Sequence, residues 1–161
     1  MARRVYFSFH YRRDVLKIGQ IRNSWLLEGS GHQADRFLDK ADWESIKKRG
    51  DAAIERWIDE QMNGTSVTVV LIGAETYKRR WVKYEIRQSH AQGKGMLGID
   101  MYGMKDLNGN YDPRGPSPFK EFTFKDRLGT VVTYPVYEWI GDRGRANMSS
   151  WVEEAARRAG R

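Results

Sequence analysis

Apolar residues along the chain follow two rhythms. In residues 5–9 (VYFSF) and 66–73 (SVTVVLIG), β-branched and aromatic side chains run together with almost no polar interruption, the pattern of strands covered on both faces. Residues 95–104 (GMLGIDMYGM) and 131–139 (VVTYPVYEW) read as two more strands, the latter at a sheet edge because Pro135 has no amide to donate. Residues 34–38 read as a short second strand. Between these runs the spacing turns helical. Val15, Ile18, Ile21 and Trp25 form one stripe of a helix capped by Asp14 and running to about residue 27. Ile54, Trp57, Ile58 and Met62 form another, capped by Asp51 and stopped at Asn63-Gly64. A helix over 78–92 ends at Gly93, and a terminal one at about 146–159 carries Met148, Trp151, Val152, Ala155, Ala156 and Ala159 on one face.

Strands alternating with helices imply a parallel sheet covered on both faces, and five strands imply an α/β three-layer sandwich of flavodoxin-like order 2-1-3-4-5. With 161 residues, 40% of them hydrophobic, the chain can fill one core, so residues 1–161 are expected to form a single domain. The stretch from Gly29 to Gly50 carries the weakest pattern. A polar, Gly/Pro-rich excursion over about 105–130 has the length usually reserved for function or mobility. In the expected order the chain reverses direction between strands 1 and 3, and ligands collect beyond the carboxyl ends of the strands at such a switch.

Charge sharpens that expectation. The net charge is +7, but residues 1–22 hold six Arg/Lys and one acid, residues 78–94 again six and one, and residues 28–62 nine acids against six bases. The loop after strand 1 and the segment after strand 3 are those the topology joins, so the two cationic concentrations are expected to meet. They would serve a small phosphorylated ligand or, as a longer stripe, nucleic acid; the interrupted distribution disfavours the second. There is no cysteine, which removes disulfides and thiolate metal sites. Residues 5–9 are too short for the roughly 7–15 apolar residues of a signal-peptide core, and no stretch approaches the roughly 20 needed to span a bilayer. A cytoplasmic location without membrane contact is expected.

Trp81 and Glu85 lie four residues apart and share a helix face at the predicted switch point. Their bland alternative is an anchor tryptophan beside a solvated acid paired with Arg80 or Lys78. Ser8, His10, Tyr11, Arg12 and Arg13 follow strand 1, where hydroxyl, amide and guanidinium donors suit a pyrophosphate or ribose, or else make an ordinary charged surface loop. No GxGxxG follows strand 1 and no GxxxxGK[ST] occurs, which disfavours a Rossmann coenzyme site and a P-loop. A receiver-type phosphoacceptor would need acids where this chain has Phe9-His10 and Ile72-Gly73. His10, His32 and His90 lack ligand spacing, so no metal is expected. Trp25, Trp43, Trp57 and Trp151 are expected to be packing anchors.

The ordered set VYFSFHYRRD, GTSVTVVLIG and WVKYEI resembles TIR-like domains, whose W-x-x-x-E motif carries a catalytic glutamate. The longer run GDAAIERWIDEQMNGTSVTVVLIGAETYKRRWVKYEI, continuing into GKGMLGIDMYGMKD, is similar to the standalone bacterial branch that includes ThsB of the Thoeris anti-phage system. The match covers most of residues 3–103. The resemblance implies NAD+ cleavage at the nicotinamide–ribose bond with Glu85 as the essential carboxylate, NAD+ being a substrate and no cofactor being needed. It implies a cyclic ADP-ribose-type product that activates a separately encoded effector, and it leaves open a phage-derived trigger and homo-oligomerisation. Arg12, Arg13 and Lys78 to Arg80 would hold the diphosphate, Trp81 or Tyr11 would stack on a ring, and Ser8 and His10 would frame the pocket. The 105–130 excursion would be a lid. One departure is that DKADWESIKKRGD stands where the family has an Arg-Asp-x-x-Pro-Gly loop. The rival reading is a non-catalytic module of the same fold that binds a protein partner or a nucleotide.

Overall fold

A computed structural model describes residues 3–28, 31–34, 40–106 and 108–161, with the backbone alone for 11–13, 15, 28, 40 and 41. Its strands are β1 (Arg4–Ser8), β2 (Gln33–Ala34), β3 (Val67–Ile72), β4 (Gly95–Asp100), β5 (Phe124–Lys125), β6 (Val131–Val132) and β7 (Val136–Glu138). The main sheet is parallel throughout and ordered β2-β1-β3-β4-β7, with Val5 opposite Val67 and Ser8 opposite Val70. The spatial order is the expected 2-1-3-4-5, with its last place taken by the seventh strand because the excursion adds an antiparallel pair of its own, β5 with β6. The strand expected over 131–139 is therefore divided. Val131 and Val132 pair with the excursion, and only beyond Pro135, whose carbonyl accepts from Gly98 N at 2.9 Å, does the chain join β4.

The helices are α1 (Tyr11–Glu28), α2 (Lys40–Lys48), α3 (Asp51–Met62), α4 (Arg80–Ala91) and α5 (Gly144–Arg158). Helix α1 starts three residues before the expected cap. Asp14 is accordingly a buried helical residue, packed so closely on Gly73 that a Cβ at that glycine would collide with the Asp14 carboxylate. Helix α3 is entered through Gly50, whose φ of 91° lies in the left-handed region open to glycine, and Asp51 is its first helical residue instead of its cap. Residues 78–92 are not one helix. A 3-10 turn, Thr76–Lys78, precedes α4 and holds Lys78. Helix α2 occupies the stretch with the weakest pattern, and residues 35–38 of the expected second strand lie outside the described residues.

Alternation along the strands sorts the core. Val5, Phe7, Val67, Val69, Leu71, Leu97 and Ile99 face α1 and α5, meeting Ile18, Ile21, Trp25, Met148, Val152 and Ala156. On the other face, Tyr6 packs on Ile54, Ile58 and Met62 of α3. Val70, Ile72 and Met96 pack there on Val82 and Ile86 of α4 and on Phe119 and Phe124 from the excursion. The excursion is seated again at Gly115, where a side chain would strike the Gly73 carbonyl, and by the Lys17–Asp112 ion pair at 2.7 Å. Among the described residues no helix is long and apolar enough to cross a membrane.

Candidate functional site

The two-residue period of β1 turns Tyr6 and Ser8 toward α4, while Val5 and Phe7 enter the opposite core. Helix α4 presents Val82, Glu85, Ile86 and Ser89 as its buried stripe, at the 3- and 4-residue intervals of one helix face. The two patterns meet at a carboxylate. Tyr6 donates its hydroxyl to Glu85 Oε2, and Ser8 Oγ donates to Oε1 at 3.2 Å. Glu85 is only 6% exposed. Ser89 Oγ lies 2.7 Å from the Glu85 carbonyl and 2.7 Å from Thr68 Oγ1. With one proton to give, it donates to the carbonyl and accepts from Thr68, which ties the helix turn carrying Glu85 to β3.

Burying a carboxylate is expensive unless donors replace its water, and here two hydroxyls from one strand do so. The bland alternative for Glu85 does not hold. Arg80 pairs with Asp51 at 2.7 Å and Lys78 approaches Glu75 at 3.8 Å, leaving Glu85 to the sheet. Because Ser8 ends β1, the carboxylate sits toward the carboxyl edge, where β1 and β3 adjoin and the chain reverses direction.

The remaining candidates are placed less centrally. Trp81 packs half-buried with Trp43 and Trp57 against the Tyr6 cluster, its ring under the Arg80 guanidinium at 4.6 Å and edge-on to Tyr84. His10 is buried just past β1, and its carbonyl accepts from Asp14 N at 3.3 Å. The side chains of Tyr11, Arg12 and Arg13 lie outside the described residues; their backbone forms the first turn of α1. Whether the cations after β1 and β3 meet turns on the Arg12 and Arg13 side chains, which lie outside the described residues. Among the described cations, Arg3 is held by Glu153 at 2.8 Å, Lys17 by Asp112 at 2.7 Å and Lys83 by Glu121 at 2.8 Å. Among the described residues no group of three or more His, Asp or Glu side chains is placed to hold a metal ion.

Sequence reasoning reached Ser8 and Glu85 but missed Tyr6, which read as one apolar member of a strand. Its spacing of two from Ser8 was the available signal, since both must share a face.

A family described as "Thoeris protein ThsB, TIR-like domain" matches residues 6–106. A Bacillus cereus (strain MSX-D12) protein named "Putative cyclic ADP-D-ribose synthase ThsB1" is 36% identical over 193 aligned positions, which cover 94% of this chain and 100% of that protein.

Proposed function

The chain belongs to the Thoeris ThsB family of TIR-like proteins, and from that premise we propose that it cleaves NAD+ and closes the remainder into a cyclic ADP-ribose-type signal for anti-phage defence. The observation that supports this most directly is the buried Glu85 carboxylate, held by Tyr6 and Ser8 at the carboxyl edge of the sheet. The name of the Bacillus cereus relative supports the product class.

In this reaction the bond between C1′ of the ribose and the nicotinamide nitrogen breaks, and its electron pair leaves with nicotinamide as a neutral pyridine. Departure needs no general acid, so one carboxylate suffices where ordinary glycosidases use two. Glu85 accepts hydrogen bonds from the ribose hydroxyls and stabilises positive charge growing at C1′, a contribution of about 3–4 kcal/mol for a group of this type. Tyr6 keeps Oε2 oriented, and the ribose competes with Ser8 for Oε1. A nucleophilic atom at the adenosine end of the same molecule then bonds to C1′, and one proton is released to solvent. NAD+ is the substrate throughout, with no resident cofactor or metal in this scheme. Ser8, His10, Tyr11, Arg12, Arg13, Lys78 and Trp81 are the residues we assign to framing the dinucleotide. The product acts on a separately encoded effector in the cytoplasm, and a phage-derived trigger and self-association are the regulatory steps to look for.

Nicotinamide release from NAD+ by the full chain, in lysate from infected cells if the isolated protein is silent, tests the reading. Glu85→Gln should abolish it, and mass spectrometry should find the cyclic product only with the wild type. Turnover by Glu85→Gln equal to the wild type would remove Glu85 from the mechanism and make the buried carboxylate structural.

A further inference from the structure

A concavity opens at the opposite, amino edge of the sheet from Glu85. It encloses about 740 Å³ between the end of α4, the start of β4, the β5–β6 hairpin and the last turns of α5. That is within the roughly 300–1,000 Å³ of small-molecule sites. Its wall is apolar and aromatic, with Met96, Val132 and Tyr134 beside the stacked rings of Tyr137 and Trp151, 4.2 Å apart and 4° from parallel.

The charges around it are unequal in what they can offer. Of the two acids, Asp126 accepts the Leu128 and Thr130 amides, both at 2.9 Å, and Glu154 is held by Arg157 and Arg158. Lys94 turns away, donating to Met62 O at 2.8 Å and Thr65 O at 2.6 Å. The partial negative charge at the end of α4 is met by Arg161, which donates to Gln92 O at 2.7 Å and Gly93 O at 3.1 Å. Lys125 and Arg127 remain, exposed on the hairpin at the rim. The hairpin is itself fixed. His90 Nε2 lies 2.8 Å from Lys125 O, which can only accept, so Nε2 carries the proton and Nδ1 accepts the Tyr134 hydroxyl at 2.5 Å.

We propose that this cavity is a second ligand site, separate from Glu85, that takes a small aromatic anion: the ring lies on the apolar wall, and the anionic group meets Lys125 and Arg127. An apolar wall with a few convergent polar groups is the usual composition of a ligand site, and the unequal rim selects the sign of charge.

The test uses the full chain with 8-anilinonaphthalene-1-sulfonate, read by fluorescence, and N-phenyl-1-naphthylamine as the uncharged counterpart. The sulfonate should bind saturably, with one molecule per chain. Lys125→Ala/Arg127→Ala should weaken it about tenfold or more, the loss of two charge-assisted contacts, without a comparable loss for the uncharged probe. Glu85→Gln should change neither. Thr133→Trp, which fills the cavity from its exposed wall, should exclude both probes. AMP should displace the sulfonate better than adenosine does. Non-saturable binding, indifference to the double variant or to Thr133→Trp, or loss of binding in Glu85→Gln would each overturn the proposal.

Discussion

At the scale of residues, the arrangement turns on a tyrosine whose hydroxyl bonds a carboxylate 79 positions away. That separation is why Tyr6 was illegible. Its identity as a strand residue was plain, its partner was not, and only the adjacency of β1 and α4 reveals the pair. Glu85 and Ser8 were legible because a W-x-x-x-E spacing and a strand end are local signals. Tyr6→Phe keeps the ring packing but removes a hydrogen bond to a charged group, typically about 1.5–3 kcal/mol. The variant should unfold at lower urea concentration and release nicotinamide more slowly than the wild type. Lys94 makes a separate prediction. Burial, then the positive charges of Arg161 and Arg4, lower it from 10.5 to about 8. Between those two values the unfolded chain binds a proton that the folded chain does not, so stability should rise with pH across that window. Denaturation at pH 8 and pH 10 should show the rise in the wild type. In Lys94→Met it should flatten, and the variant should be less stable at pH 7, because Met62 O and Thr65 O lose a donor.

Elements were legible in proportion to how much of their pattern was local. Strand β3 and helix α3 could be read because every position of one and every third or fourth position of the other is buried. Helix α2 could not, since its apolar signal is little more than Trp43 and Ile46 resting half-buried against the α3 cluster. The split at Pro135 was read as a mere edge, because nothing local says that Val131 and Val132 pair with Phe124 and Lys125. The excursion expected as a lid is pinned along its length. Asp112 holds Lys17, Gly115 lies against the Gly73 carbonyl, and Phe119 and Phe124 enter the core below α4. Gly115→Ala must push backbone from backbone and should destabilise the fold by about 1–3 kcal/mol, the usual cost of overpacking. Limited proteolysis should then cut within residues 105–130 faster than in the wild type; an unchanged cleavage rate would mean that this seat holds nothing in place.

For the whole molecule, charge acts at long range even though several of the described cations are locally paired. A chain of net charge +7 draws an anionic dinucleotide toward it. Raising salt from about 0.05 to 0.5 M shortens the screening length to a few ångströms. The KM for NAD+ should therefore rise with salt while kcat changes little; a flat KM would confine recognition to contacts inside the site. The order of strands was legible before the structure because connection rules allow few alternatives, whereas the perimeter ion pairs were not, being set by which surface loops happen to adjoin. Strand β1 serves two masters on alternate beats: Val5 and Phe7 seal one core, and Tyr6 and Ser8 grip the carboxylate on the other side. A substitution scan along it should accordingly tick like a metronome, odd positions registering in the yield of folded protein alone and even ones in yield and turnover together. An insertion that slid this ribbon by a single place would silence both at once.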